Sequence, residues 1–176
     1  SRKLKEEETV SMGCYQYYQA FIIQGQSTLI KMIDVKVFNK LNKIDIINAN
    51  VEKLVKKILS EKSSLNKAII SIIFCNNKVL NDFKIQYFKE DVLTDIITFK
   101  IQENPHLEAE LYISTEMAKE NANDFNVTLN NEIIRLISHG ILHLLGFDDK
   151  DKASSEKMFL AQEEIVKKFK FKLLDE

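Results

Sequence analysis

The fold is decided by residues 138–150, which read Ser-His-Gly-Ile-Leu-His-Leu-Leu-Gly-Phe-Asp-Asp-Lys. They close the longest helical pattern in the chain, over 131–145. His139 and His143 stand four residues apart, and such positions are neighbours on one face of a helix. Gly146 follows where the pattern ends, and glycine adopts the left-handed conformation that stops a helix without strain. We therefore predict a helix with two histidines on one edge and a sharp turn after it.

Two aspartates, Asp148 and Asp149, come directly after this glycine, so the turn can bring a carboxylate alongside the histidines. Two imidazoles four residues apart can reach one ion at Zn–N distances of about 2.0 to 2.1 Å. Two histidines and one carboxylate leave a fourth position open for water, which is typical of catalytic rather than structural metal sites. The residues therefore predict a catalytic metal site on the helix and its turn.

The alternative interpretation is a pair of hydrogen-bonded core histidines without a metal. Gly140 argues against it, because a glycine inside a helix costs about 1 kcal/mol relative to alanine and needs a reason, such as close approach of a backbone or a substrate. The same glycine disfavours a zinc protease. In the His-Glu-x-x-His motif a glutamate activates the water, and Gly140 occupies that position here.

The composition of the 176 residues, 45% hydrophobic and 29% charged, predicts one globular domain. The 25 basic and 26 acidic residues leave a net charge of −1, so only a local basic face could attract a nucleic acid. Cys14 and Cys75 are too few for a disulfide framework and suggest reduced thiols. No apolar run approaches a membrane span, so we expect a soluble, cytoplasmic protein without a membrane partner. The basic face could be built by Lys53, Lys56, Lys57, Lys62 and Lys67.

The rest of the chain alternates strand and helix patterns. Strands are predicted over 33–38, 68–75, 95–101 and 108–114. Helices are predicted over 51–59, capped by Asn48 or Asn50, over 79–87, 115–123 and 131–145, and over 154–169, capped by Ser154 or Ser155. This order predicts an α+β domain with a single mixed four-stranded sheet and packed helices, the metal site lying on a central helix and the turn after it.

Two segments resemble the YbeY family. Residues 139–149 are similar to its signature, His-Gly-x-Leu-His-Leu-x-Gly-aromatic-Asp-His. Residues 87–99, Tyr-Phe-Lys-Glu-Asp-Val-Leu-Thr-Asp-Ile-Ile-Thr-Phe, resemble its Tyr-Arg-x-x-Asp-x-Pro-Thr-Asp-Val-Leu-Ser-Phe. The resemblance begins at about Met32. It implies a metallohydrolase domain over 32–176, preceded by an N-terminal extension over 1–31.

The resemblance implies a function and a site. The family consists of bacterial metal-dependent endoribonucleases, which implies single-strand-specific, zinc-dependent cleavage of RNA in 16S rRNA 3′-end maturation and ribosome quality control. The implied partners are ribosomal RNA and the small ribosomal subunit. The implied ligands of one Zn²⁺ per chain, or of another divalent transition metal, are His139, His143 and Asp149. Thr94 and Asp95 are implied as contacts of the catalytic site.

Three departures from the family pattern bear on activity. Asp149 replaces the third ligand histidine, and Ala109-Glu110 replaces a Gly-Asp pair. Phe88 aligns with an arginine of the family, which leaves Lys89 as the nearest cation and the expected catalytic one. Two alternatives therefore stay open: a non-catalytic RNA- or ribosome-binding protein with a degenerate metal site, and a metal-dependent hydrolase of another substrate.

Overall fold

The computed structural model describes residues 31–39 and 44–175. In this part the strands are β1 (Met32–Asn39), β2 (Lys67–Cys75), β3 (Ile96–Gln102) and β4 (Leu107–Ser114). They form a four-stranded sheet in the order β1-β2-β4-β3. The pairs β1–β2 and β2–β4 are parallel, and β3 lies antiparallel to β4 at the edge. The extension predicted over 1–31 lies outside the described residues apart from Lys31.

Five α-helices surround this sheet in the described ranges. They are α1 (Asn48–Lys62), α2 (Asn77–Phe83), α3 (Thr115–Asp124), α4 (Leu129–Leu144) and α5 (Lys152–Lys168), and a π-helical turn (Lys84–Phe88) continues α2. The predicted α+β class with one mixed four-stranded sheet is confirmed. None of the described helices has the length and hydropathy needed to cross a membrane.

The core forms where helix α4 packs against the sheet. Burial alternates along β4, as expected of a strand with one face on the core. On α4 the fully buried residues recur at helical spacing, with Ile133, Ile137 and Ile141 on the inner face. The same helix carries both histidines, so the packing that buries its apolar face also fixes where their rings lie.

Gly140 lets α4 approach the sheet closely. A Cβ at this position would lie 2.5 Å from Cδ2 of Leu111, 2.9 Å from Cδ1 of Ile96 and 3.0 Å from Oγ1 of Thr98. Leu111 is fully buried, so it has little room to move aside. Of the two reasons considered for this glycine, close contact with the sheet is therefore the one observed.

Two helix caps differ from the predictions. Helix α1 starts after Ile47 without a side-chain cap; the predicted caps Asn48 and Asn50 lie inside the helix, and Nδ2 of Asn50 donates to the carbonyl of Lys172, 2.6 Å away. Helix α5 is capped by Asp151, whose carboxylate accepts from the backbone amides of Ala153 and Ser154, and it therefore starts before the predicted serines. In both cases a polar side chain can hydrogen-bond to more than one backbone group, and the sequence pattern does not determine which bond forms.

The contact at Gly140 generates a stability prediction. Gly140→Val should lower the free energy of unfolding by about 2–3 kcal/mol, because the added methyls overpack against Leu111 and Ile96. Urea denaturation followed by circular dichroism measures this loss. Ser155→Val is the matched control, since it places the same side chain at an exposed position of α5. Equal changes in the two variants would contradict the close packing, because helix propensity alone favours valine over glycine.

The thiol of Cys75 lies at the buried end of β2. Burial raises its pKa to about 11, and the negative charge of Glu116 adds to the effect. The sulfur lies 3.6 Å from the carbonyl oxygen of Ile113, to which the thiol can donate. A thiol in this environment stays protonated at neutral pH and is a poor nucleophile.

In the Cys14→Ser variant, Cys75 should therefore resist alkylation. At pH 8 the folded protein holds on the order of one hundred times fewer Cys75 thiolates than an ordinary cysteine with a pKa near 8.5. Iodoacetamide labelling followed by mass spectrometry should be slow in the native protein and fast in denaturant, and the native rate should rise steeply towards pH 11. Equal rates at pH 8 in the two states would contradict the assigned pKa.

Candidate metal centre

The two histidines of α4 turn their outer nitrogens towards each other. The Nε2 atoms of His139 and His143 are 3.1 Å apart, and the rings meet edge to face at a centroid distance of 4.5 Å. Both side chains are half-buried. The spacing of four residues thus brings the two nitrogens to one point, as predicted for positions on one helical face.

The inner nitrogen of His143 is held by the turn after α4. Gly146, at φ +90°, donates its backbone amide to the carbonyl of His143, and the amide of Phe147 donates to the carbonyl of Leu142. These two bonds form a Schellman motif. The turn brings the carbonyl oxygen of Phe147 to 3.1 Å from Nδ1 of His143. A carbonyl only accepts, so Nδ1 must carry the proton.

The inner nitrogen of His139 is held by helix α5. Oε1 of Gln162 lies 3.2 Å from Nδ1 of His139, and Gln162 is itself buried. Burial lowers the pKa of His139 below its usual value, and the adjacent His143 lowers it further, while Gln162 and the charges of Asp149 and Asp95 act in the opposite direction. At neutral pH the His139 ring is therefore uncharged, which is the form that binds a metal.

The facing nitrogens fit a cation. In the tautomers in which each Nδ1 donates and each Nε2 carries no proton, two lone pairs face each other across 3.1 Å. Such a pair has no donor between its members, and a metal ion between the rings would satisfy both nitrogens. An Nδ1–H bound to a carbonyl-type oxygen is the usual support of a metal-binding histidine.

Asp149 completes a group of three potential ligands. One ligand atom each from His139, His143 and Asp149 lies within 4.8 Å of the others, and Oδ2 of Asp149 is 3.7 Å from Nε2 of His143. The Asp149 side chain is 49% exposed. Two imidazoles and one carboxylate, with one side open to solvent, match the donor set of a catalytic metal site.

A polar network lies behind the histidines. Nδ2 of Asn121 donates to Oδ2 of Asp95 over 2.9 Å and lies 3.5 Å from Oε1 of Glu132. Glu132 is almost fully buried and pairs with Arg135 at 2.8 Å. Arg135 also pairs with Glu163 of α5 at 2.9 Å. The network ties α3, α4 and α5 together and holds the Asp95 carboxylate, whose charge acts on His139.

The two other expected catalytic residues lie at the segment that leads into β3. Oγ1 of Thr94 donates to the carbonyl of Ile96 over 3.2 Å. Lys89 ends the π-helical turn in a left-handed conformation, at φ 60°, and its ammonium donates to the carbonyl of Gln86 over 3.0 Å. These contacts are local, and they do not test either catalytic role.

A cavity of about 290 Å³ opens beside the histidines. Its lining includes His139, His143, Phe88, Lys84 and Lys100. Lys89, the expected catalytic cation, is not among the described residues that line it. The cations at the cavity are thus Lys84, which the π-helical turn carries, and Lys100 of β3, neither of which the sequence motifs pointed to.

Gln162 is the other residue that the sequence did not reveal. It occupies a core-facing position of α5, four residues after the buried Met158 and three before the buried Ile165. A polar residue inside an apolar stripe is the signal that could have drawn attention to it. Its partner, however, lies on another helix, so the sequence pattern gives no way to name His139.

The family comparison decides the identity of the chain. The family model described as endoribonuclease YbeY matches residues 36–170. This chain belongs to the YbeY family. The match spans the sheet from β1 onward, both histidines, Asp149 and helix α5, so the candidate metal centre lies within the part that defines the family.

Individual YbeY proteins agree with this assignment. The endoribonuclease YbeY of Christiangramia forsetii is 42% identical over 108 residues, which is 60% of this chain and 76% of that protein. The one from Bacteroides fragilis is 35% identical over 140 residues, which is 80% of this chain and 92% of that protein. The solution structure of TM1509 from Thermotoga maritima is 25% identical and superposes with a TM-score of 0.54, covering 77% of this chain and 87% of that one.

Membership of the YbeY family confirms two predictions, the family itself and the enzyme class, an endoribonuclease acting on RNA. The solved structure supports the same fold. A group able to hold a metal ion is present, while the identity of the metal and the roles of the individual residues stay predictions.

Gln162 should act as a positioning residue for His139. Gln162→Leu removes the acceptor of the His139 Nδ1 proton, so the ring can rotate or change tautomer, and zinc affinity should fall roughly 10- to 100-fold. Competition with a chromogenic chelator measures the affinity without any need for activity. Gln102→Leu is the matched control, because Gln102 contacts His106, a histidine outside the site. Unchanged affinity in Gln162→Leu would remove the glutamine from the metal centre.

Proposed function

We propose that this chain is a metal-dependent endoribonuclease that cleaves single-stranded RNA. The observation that carries the proposal is the pair of Nε2 atoms 3.1 Å apart, each on a ring whose Nδ1 faces an acceptor oxygen. Such a pair is suited to a cation, and a cation beside an open cavity is suited to a phosphodiester. The endoribonuclease names of the relatives agree with this chemistry.

His139, His143 and Asp149 would hold the ion. When bound, it supplies Lewis-acid charge that stabilises the negative charge developing on the scissile phosphate. Gln162 and the carbonyl of Phe147 keep the two imidazoles oriented and their Nδ1 atoms protonated. We propose zinc as the metal, because two imidazoles and one carboxylate with an open position are a common catalytic zinc set. The carboxylate also makes manganese or cobalt acceptable.

The remaining residues would bind and position the RNA. Lys84 and Lys100, in the cavity lining, can neutralise phosphate oxygens on either side of the cleaved bond. Lys89 is proposed as a further cation for the substrate, since its side chain is exposed and its ammonium donates to the carbonyl of Gln86. Asp95 is proposed to act through its charge on His139, and Thr94 to shape the segment that leads into β3.

The biological role is proposed from the family. We propose that the substrate is ribosomal RNA, that the enzyme takes part in 16S rRNA 3′-end maturation and ribosome quality control, and that it meets the small ribosomal subunit in the cytoplasm. We also propose that residues 32–176 form the catalytic domain and 1–31 an extension of it. The family match over 36–170 supports this boundary.

The test combines metal content with cleavage. Purified protein should contain about one transition metal ion per chain by elemental analysis, and it should cut a labelled single-stranded RNA but not the same RNA in a duplex. A chelator should stop cleavage, and added zinc should restore it. His139→Ala and His143→Ala should lose both metal and cleavage, because each removes one of the two nitrogens that face the ion.

His106→Ala is the matched control for these variants. His106 contacts Gln102 in the region between β3 and β4, away from the paired histidines, so its loss should leave metal content and cleavage unchanged. Cleavage that survives the chelator, or that persists in His139→Ala at the wild-type rate, would contradict the proposed function.

A further inference from the structure

An aromatic ring stands at the metal cavity with nearly half of its surface uncovered. Phe88 lines the same cavity as His139 and His143, and it is 46% exposed. Exposing a phenylalanine to water is unfavourable, and at the edge of a polar cavity it provides a flat apolar surface for a ligand. The ring belongs to the π-helical turn, a distortion that is frequent at functional sites.

The ring is held in place from beneath. Phe88 stacks on Phe99 with an interplanar angle of 26° and a centroid distance of 6.4 Å. Phe99 is itself anchored edge-on by Phe83 and Tyr112, at 5.8 and 5.9 Å. Lys84 places its ammonium over the Phe88 ring, 5.1 Å from its centroid, so a base stacks on that face only as the ammonium moves towards a phosphate. A ring fixed in this way is preorganised, so a ligand that stacks on it pays little for ordering the side chain.

The charges around the ring favour an anionic ligand. Lys84 and Lys100 line the cavity, and no carboxylate is among its lining residues in the described ranges. Lys84 pairs with Glu90 at 3.1 Å and Lys100 with Glu103 at 3.0 Å, but both glutamates are more than half exposed. Exposed pairs of this kind are weak, so phosphate groups can take the place of the two carboxylates.

An aromatic platform that shares a cavity lining with two lysines matches one nucleotide unit. We infer that Phe88 is a stacking platform for an unpaired base of the RNA, while Lys84 and Lys100 contact the phosphates that flank that base. Every base has a face that can stack on an aromatic ring, so the contact tolerates sequence. In a duplex the faces of the bases are already covered by their neighbours.

The inference rests on the proposed function and deepens it. A base must leave its stack to reach Phe88, and only unpaired RNA offers such bases without cost. Selection for single strands would then come from the ring, separately from the metal chemistry. Binding can therefore be tested apart from cleavage.

The experiment measures affinity for two oligonucleotides with the full-length protein as purified. One is a short single-stranded 2′-O-methyl RNA, and the other has the same backbone with every base removed. Fluorescence anisotropy gives both dissociation constants, and gel analysis confirms that the oligonucleotides stay intact. The variants are Phe88→Leu, which loses the flat ring but stays apolar, and Phe88→Trp, which keeps a ring. Phe125→Leu is the matched control, because Phe125 is 66% exposed but lies at the end of α3 and is not among the residues lining the cavity.

The wild type should bind the base-containing oligonucleotide more tightly than the abasic one, and Phe88→Leu should lose about 5- to 100-fold in affinity for the former only. Phe88→Trp and Phe125→Leu should bind as the wild type does. Lys84→Gln and Lys100→Gln should weaken both oligonucleotides alike and reduce the dependence of affinity on salt. Circular dichroism and zinc content establish that each variant is folded.

Three results would overturn the inference. If the wild type binds and cleaves RNA but Phe88→Leu keeps the wild-type preference for bases, then Phe88 is not the platform and the proposed function stands. The same holds if Phe125→Leu loses as much affinity as Phe88→Leu. If the wild type neither binds nor cleaves single-stranded RNA, both the inference and the proposed function are wrong.

Discussion

Two imidazole nitrogens that face each other as acceptors are the constraint around which this molecule is organised. At a separation of 3.1 Å, neither Nε2 of His139 nor that of His143 can donate to the other while both Nδ1 atoms are protonated. The protein fixes those protons from two directions: the carbonyl of Phe147 holds one ring and Gln162 the other. A cation between the two rings would relieve the conflict, in agreement with the proposed metal centre.

Two glycines place this pair in the fold for different reasons. Gly140 lets α4 lie against β3 and β4, where a Cβ would meet the side chains of Leu111, Ile96 and Thr98. Gly146 has open space around the position of a Cβ but a φ of +90°, and it directs the chain so that the carbonyl of Phe147 returns to His143. The first glycine sets how close the histidine helix comes to the sheet, and the second sets how its last ring is oriented. The site thus requires both the close approach of α4 to the sheet and the left-handed backbone conformation at Gly146.

The sequence predicted well what depends on local pattern. The four strands, the helices that follow them and the stop at Gly146 were all within reach of hydrophobic periodicity and turn chemistry. The sequence did not predict the side-chain contacts between residues that are far apart in the chain. Asn50 donates to the carbonyl of Lys172 rather than capping its own helix. Gln162 of α5 contacts His139 of α4. The cavity cations differ for a related reason: the π-helical turn brings Lys84 to the lining, while Lys89 lies beyond the turn in a left-handed conformation.

The proposed metal ligands and the proposed RNA-binding residues come from different elements of the fold. The histidines and Asp149 gather on α4 and the turn after it, whereas Phe88, Lys84 and Lys100 come from the π-helical turn and the edge strand β3. Helix α4 and strand β3 meet at Gly140, so this contact would set the distance between the proposed ion and the proposed RNA-binding surface. The most direct test of the metal centre is a crystal grown with zinc and measured on both sides of the zinc absorption edge. The account predicts one anomalous peak per chain between the Nε2 atoms of His139 and His143 and within reach of Asp149. An absent peak, or one bound by other residues with the two histidines left facing each other, would contradict it.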